Sequence, residues 1–134
     1  TIIGSVGMDI INGGAGVDTM IGGLGDDQYY FQNVGDVIQE KVNEGFDTVY
    51  TNFSYVLPEN VEILIGTAPN ITLTGNSLDN IINAVQSNTT LIGGLGNDLY
   101  VVRFANDTVI ENPGEGNDEI QTDISLVLPD NVER

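Results

Sequence analysis

The sequence contains no cysteine, no histidine and no tryptophan, and these absences exclude several classes of site. Without cysteine there is no disulfide framework and no thiolate metal site. Without histidine the usual imidazole base and the usual ligand of zinc and haem are missing. No apolar run approaches the length of a membrane span, so the sequence predicts no membrane insertion.

Basic residues are almost as scarce. Lys41, Arg103 and Arg134 face 20 aspartates and glutamates, which gives a formal charge of −17 at pH 7. A surface of this sign repels nucleic acid, so we expect no nucleic-acid partner, and its self-repulsion strains a compact state. Hydrophobic residues nevertheless make up 40% of the chain, which is enough for a core. The balance favours a folded domain that binds cations.

Glycine is abundant, and it recurs with aspartate in nonapeptide units. From Gly4 the units read GSVGMDIIN, GGAGVDTMI, GGLGDDQYY and FQNVGDVIQ, and the frame resumes at Gly66. The sixth positions are Asp9, Asp18, Asp27, Asp36, Ile71, Asn80, Thr89, Asp98 and Asp107. The eighth positions are large and mostly apolar: Ile11, Met20, Tyr29, Ile38, Leu73, Ile82, Leu91, Tyr100 and Val109. This pattern predicts turns that alternate with short strands, with the eighth residue pointing inward.

A longer repeat overlies the short one. Residues 22–62 match 93–133 without a gap at an offset of 93 − 22 = 71, and 19 of the 41 aligned positions are identical. The matches include Glu40 with Glu111 and the tails SYVLPENVE and SLVLPDNVE. An internal duplication with short periods inside it predicts a solenoid.

Two nonapeptides make one coil, so sixth positions stack on those two units away. Stacked carboxylates repel each other, and a hard dication held by carboxylate and peptide oxygens relieves this; Ca²⁺ fits better than Mg²⁺. Thr89 is the poorest ligand, and after Asp36 the nonapeptide frame slips by two. The predicted pairs are Asp9 with Asp27, Asp18 with Asp36, Asn80 with Asp98, Thr89 with Asp107, Asp27 with Asp47, and Asp98 with Asp118.

The units GGAGVDTMI and GGLGDDQYY resemble the nonapeptide of the repeats-in-toxin (RTX) family, the haemolysin-type calcium-binding repeats. The resemblance implies an all-β parallel β-roll that holds several Ca²⁺ ions, about three to six, between stacked loops. The sequence departs from the family pattern at AVQSNTTLI, within residues 75–92, which lacks the glycines and the aspartate. The implied ligands are the side chains of Asp9, Asp18, Asp27, Asp36, Asp47, Asn80, Asp98, Asp107 and Asp118 and the loop carbonyls at Gly4, Gly7, Gly13, Gly14, Gly16, Gly22, Gly23, Gly25, Gly93, Gly94 and Gly96.

We expect one continuous solenoid cut from a longer protein. Residues 1–39 form a first nonapeptide block, 40–65 a spacer that continues the solenoid, 66–110 a second block, and 111–134 the start of a second spacer. The acids recur around turns rather than flanking a cleft, so the sequence predicts no enzyme. The predicted function is a calcium-dependent module of an exported bacterial protein, secreted or at the cell surface, and the resemblance implies type I secretion.

Two alternatives remain open. One places the segment in a surface adhesin, a surface layer or an extracellular filament, with copies of itself or cell-surface polymers as partners. The other makes it the accessory module of a secreted protease, lipase or polysaccharide-modifying enzyme. Tyr29 and Tyr100 hold equivalent interior positions in the two repeats, and they are predicted to be core residues.

Overall fold

A computed structural model describes all residues, 1–134, and it is built only of strands, turns and loops. Every strand pairing is parallel, so the predicted all-β parallel solenoid is confirmed. It contains no helix, and therefore none that could span a membrane. The strands are β1 Ile2–Ile3, β2 Ile10–Asn12, β3 Thr19–Ile21, β4 Gln28–Tyr30, β5 Val37–Ile38, β6 Thr48–Thr51, β7 Tyr55–Val56, β8 Ile63–Gly66, β9 Thr72–Thr74, β10 Ile81–Ala84, β11 Thr90–Ile92, β12 Leu99–Val102, β13 Thr108–Ile110 and β14 Glu119–Thr122.

The strands form two walls. One wall is a single seven-stranded sheet in the order β14-β12-β10-β8-β6-β4-β2. The other is divided into a three-stranded sheet, β1-β3-β5, and a four-stranded sheet, β13-β11-β9-β7. Even-numbered and odd-numbered strands thus lie on opposite walls, because each nonapeptide crosses the coil once.

The coils differ in length along the axis. The inward-facing residues of the seven-stranded sheet are register partners and form a column. From one residue of the column to the next, the chain makes one coil. The column consists of Ile11, Tyr29, Val49, Leu64, Ile82, Tyr100 and Ile120. Three of the steps have a sequence separation of 18. The steps to Val49 and to Ile120 are longer, with a separation of 20. The hydrogen bonds between Asp27 and Asp47 and between Asp98 and Asp118 also join residues 20 positions apart. These two long coils are equivalent in the duplication, and the first of them explains the frame slip after Asp36.

The core is a narrow column between the walls, and strands alternate inward and outward residues as their pleat requires. All nine predicted eighth-position residues are buried, which confirms that part of the sequence prediction. Tyr29 and Tyr100 are fully buried within this column. Phe31, directly after β4, packs against Tyr55 of β7, the edge strand of the four-stranded sheet, with ring centroids 4.5 Å apart.

The core makes a testable prediction in the calcium-loaded protein. Leu91 is completely buried, so Leu91→Ala leaves a cavity and should lower the free energy of unfolding by about 2–5 kcal/mol. Leu95 lies in the next loop with 56% of its surface exposed, so Leu95→Ala should change it by less than about 0.5 kcal/mol. Urea denaturation followed by circular dichroism measures both values. Equal losses in the two variants would contradict the assignment of Leu91 to the core.

Candidate metal centre

The first six residues of a nonapeptide form a turn that depends on glycine. In the unit that begins at Gly22, Gly23 and Gly25 have φ values of 98° and 126°, where a side chain is strained. Gly22 is needed for a different reason, since a Cβ there would collide with the carboxylate of Asp27 and the hydroxyl of Tyr29. The glycines therefore bring acidic side chains directly against the loop backbone.

One oxygen of each stacked aspartate is bonded to the preceding coil. Oδ1 of Asp27 accepts a hydrogen bond from the backbone N–H of Asp9 at 2.7 Å, and Oδ1 of Asp47 accepts one from Asp27 at 2.8 Å. An amide donor thus offsets part of the repulsion expected from stacked carboxylates. The same bond joins the other predicted pairs: Asp18 to Asp36 at 3.0 Å, Asn80 to Asp98 at 2.7 Å, Thr89 to Asp107 at 3.0 Å and Asp98 to Asp118 at 2.8 Å.

Three buried carboxylates meet within the first long coil. Asp27, Glu40 and Asp47 each place an oxygen within 4.8 Å of the others. Their Oδ2, Oε2 and Oδ2 atoms are buried and have no hydrogen-bond partner. The second oxygen of Glu40 accepts hydrogen bonds from the hydroxyl of Tyr29 and, at 3.1 Å, from the N–H of Gly22. We call this cluster the first triad; its unpaired oxygens suit a hard cation, because buried polar atoms without partners are costly.

The second triad is its copy in the other half of the duplication. Asp98, Glu111 and Asp118 are buried and lie within the same 4.8 Å limit, and Oδ2 of Asp98 and Oε2 of Glu111 are unpaired like their counterparts in the first triad. The hydroxyl of Tyr100 donates to Glu111 as that of Tyr29 does to Glu40. A Cβ on Gly93 would again overlap the carboxylate of the first aspartate. The site is therefore a repeated feature of the fold.

The Leu-Pro-x-Asn-Val-Glu turn holds each triad from the next coil. Asn60, in the left-handed region at φ 66°, donates its side-chain amide to the carbonyl of Glu40 at 3.1 Å. Glu62, in the same turn, accepts from the backbone N–H of Asp47 at 2.8 Å. The copies are Asn131 to Glu111 at 3.0 Å and Asp118 to Glu133 at 2.7 Å. This motif positions two of the three carboxylates in each triad.

Other predicted ligands use their second oxygen within their own loops. Oδ2 of Asp9 accepts from the N–H of Ser5 at 2.6 Å, and Oδ2 of Asp36 accepts from the N–H of Asn33 at 3.2 Å. Such an oxygen is less available to a cation than the unpaired atoms of the triads. Oδ1, the one side-chain oxygen of Asn80, accepts from the N–H of Asn76 at 2.8 Å, and Oδ2 of Asp107 accepts from the N–H of Phe104 at 3.3 Å.

The remaining predicted residues lie in the stacked loops at the ends of the coils. Asp18 and Asp36 converge on Gly13, where a Cβ would lie 3.4 Å from an oxygen of each. The carbonyl of Gly22 lies against Gly4 on the coil before it, so loop backbones pack directly on one another. The predicted glycines with positive φ are Gly7, Gly14, Gly16, Gly23, Gly25, Gly94 and Gly96.

Sequence reasoning missed the glutamate of each triad. Glu40 falls outside the nonapeptide frame that places Asp27, so its spacing alone gives no signal. The signal was its identity with Glu111 in a segment where few residues match: between Asp36 and Glu44, only Glu40 is identical in the second copy. A retained acid within a diverged stretch indicates a chemical role.

Burial raises the pKa of every triad carboxyl. It raises the pKa of Asp47 to about 7, with the charges of Glu40 and Asp27 adding to the effect. It likewise raises the pKa of Asp98 to about 6 and of Glu111 to about 8. The pKa values of Asp27, Glu40 and Asp118 are also raised, mainly by burial. A group of acids in this state takes up either protons or a cation.

These shifts predict how the metal-free fold responds to pH. A carboxyl whose pKa is higher in the folded state binds protons there that the unfolded chain has lost. Its contribution to stability is present below the ordinary values of 3.8 and 4.5 and is lost as the pH rises through about 6 to 8. In calcium-free buffer, circular dichroism should therefore show more β-structure at pH 5 than at pH 8. The variant Glu40→Gln/Glu111→Gln should depend less on pH, and a fold that strengthens towards pH 8 would contradict this account.

Comparison with known proteins agrees with this geometry. The RTX calcium-binding nonapeptide repeat, in four copies, matches residues 1–30 and 74–109. The chain is 40% identical over 92 residues to endo-1,3-1,4-beta-glycanase ExsH of Rhizobium meliloti (strain 1021), covering 68% of this chain and 20% of that protein. It is 41% identical over 83 residues to endo-1,3-1,4-beta-glycanase EglC of the same organism, covering 61% and 18%.

The chain thus spans about a fifth of the length of these curated relatives. No solved structure matches it. The matched repeats are the units whose glycines shape the loops and whose aspartates stack from coil to coil. The repeat pattern, the parallel solenoid and the relatives agree, and the chain belongs to the RTX calcium-binding nonapeptide repeat family.

Proposed function

We propose that this chain is a module whose folding depends on Ca²⁺, with the two triads as principal binding sites. The observation that carries the proposal is the set of buried carboxylate oxygens without a hydrogen-bond partner, three in the first triad and two in the second. Each set is aimed at one point by residues from two successive turns of the chain. An ion bound there would link two successive coils, which contacts between residues close in sequence do not connect.

The donor set fits calcium. Each triad offers three carboxylates and no nitrogen or sulfur, which is the chemistry of hard cations. At Gly116 a Cβ would meet both the carbonyl oxygen of Gly96 and Oδ1 of Asp118, so a loop carbonyl lies near the second triad. Ca²⁺ accepts six to eight oxygens in flexible geometry, whereas Mg²⁺ requires a strict octahedron and keeps its waters. When bound, the ion supplies positive charge that the three buried acids lack.

Binding is coupled to folding because the triad does not exist in the unfolded chain. Asp27 and Asp47 stand at opposite ends of a coil in the sequence, and they meet only when that coil closes. The metal-free fold must keep three acids in a dry pocket, either protonated or at a desolvation cost of several kcal/mol per charge. An ion that binds only the folded state therefore stabilises that state by mass action.

The proposed setting is outside the cell. Calcium sites of extracellular modules have dissociation constants of about 10⁻⁴–10⁻³ M, so they are empty at cytoplasmic calcium levels and filled outside. The chain would then remain unfolded during export and fold on arrival. The family membership and the likeness to glycanases support a secreted protein.

We assign this segment no catalytic role. A glycoside hydrolase needs two acids on either side of a sugar, and both must be reachable by substrate. The triad carboxylates are buried in the wall of the solenoid, so no polymer reaches them. The relatives support a second candidate, an accessory module of a larger enzyme that acts on a β-linked polysaccharide.

Calcium titration tests the proposal. From a calcium-free start at pH 8, added Ca²⁺ should produce a cooperative rise in β-structure by circular dichroism, with a midpoint of about 10⁻⁴–10⁻³ M. Mg²⁺ at the same concentrations should produce much less. A chain that is equally folded in strong chelator would contradict the coupling.

Substitution of the triad glutamates tests the site itself. Glu40→Gln/Glu111→Gln removes one charged ligand from each triad and should raise the calcium midpoint by about tenfold or more, comparable to losing a supporting group at a metal site. Glu59→Gln/Asp130→Asn is the matched control, because these acids are equivalent in the duplication, exposed and outside the triads. Equal midpoints for the two variants would place the ions elsewhere.

A further inference from the structure

A shallow concavity of about 180 Å³ lies on the outer face of the seven-stranded sheet, away from the triads. It sits at the ends of β4 and β6, where the chain leaves the sheet. Tyr30 and Tyr50 form one side, and Gln32, Asn52 and Thr67 contribute exposed amides and a hydroxyl. The lining carries no charged residue, in a chain whose formal charge is −17.

The two tyrosine rings form a rigid aromatic unit. Their centroids are 4.7 Å apart and their planes differ by 6°, because Tyr30 and Tyr50 are register partners on adjacent strands. On the opposite side, the register partner of Tyr30 is Asn12, a short and exposed side chain. Tyr30 therefore keeps 36% of its surface exposed. An exposed ring held in place by stacking offers apolar contact at little entropic cost.

The duplication provides an internal comparison. A second concavity of about 200 Å³ is lined by the equivalent residues of the other copy. There Val101 and Gln121 replace Tyr30 and Tyr50, and Arg103 and Asp123 replace Gln32 and Asn52. The fold thus forms the depression twice, and only the first copy combines aromatic rings with neutral hydrogen-bonding groups.

We propose that the first concavity binds a neutral β-linked glycan, with a sugar ring against Tyr30. The apolar face of a pyranose packs on an aromatic ring, and its hydroxyls pair with amides and hydroxyls such as those of Gln32, Asn52 and Thr67. The net charge selects against polyuronates and other polyanions. The inference rests on the calcium-loaded fold proposed above, and it gives the accessory-module candidate a specific contact.

Affinity electrophoresis in calcium-containing gels with soluble mixed-linkage β-1,3-1,4-glucan tests the site. The glucan should retard the folded chain, and a polyuronate should not. Tyr30→Val/Tyr50→Gln installs the residues of the second copy and should weaken binding by about tenfold or more. Tyr30→Phe keeps the ring and should retain binding, while Val101→Ala, at the equivalent position of the second copy, should have no effect.

Circular dichroism and sedimentation on the same samples separate the outcomes. A calcium-folded chain that the glucan does not retard, or a double variant retarded like the unmodified chain, overturns the glycan site and leaves calcium-dependent folding intact. Glucan binding with unchanged β-structure in chelator supports the site and overturns the calcium coupling. A double variant that changes only the oligomeric state assigns the tyrosines to contacts between copies of this chain and overturns the glycan site.

Discussion

At two places in the solenoid, three buried carboxylates lie close together, and five of these six groups keep one oxygen without a donor. Much of the irregularity of the fold is related to this interaction. The two long coils are those that span Asp27 to Asp47 and Asp98 to Asp118. Gly22 and Gly93 lack a Cβ where the carboxylates lie. The side-chain amides of Asn60 and Asn131 donate to the backbone carbonyls of the triad glutamates.

For the proposed calcium dependence, the buried acids of the triads matter more than the overall charge of the chain. If each triad binds one divalent ion, two ions change the formal charge from −17 to −17 + 4 = −13, which leaves most of the repulsion in place. Surface carboxylates are screened by water and salt, whereas the buried carboxylates of the triads are screened much less. Under the proposed function, calcium would therefore act locally, where burial has raised the pKa of each acid, rather than by neutralising the whole chain.

The two copies of the repeat are alike inside and different outside. Tyr29, Asp27, Glu40 and Asp47 are identical to their counterparts, because packing and ligand position leave an interior residue little freedom. Of the paired positions that line the outer concavities, only Thr51 and Thr122 agree. In this solenoid the inward positions keep the site, and the outward positions are free to take on separate binding roles.

The sequence alone determined the solenoid. Glycine and aspartate at fixed intervals, with an apolar residue two positions after each aspartate, specify a repeating turn and an inward side chain, and these are local properties of the chain. The tertiary structure decided which acids meet. Asp9 and Asp27 hold the same place in the nonapeptide, yet only Asp27 joins a triad, because the longer coil brings Glu40 and Asp47 to it. The frame slip after Asp36 already predicts the pair Asp27 and Asp47, but Glu40 lies outside the nonapeptide frame, and only the folded coil shows that it meets them.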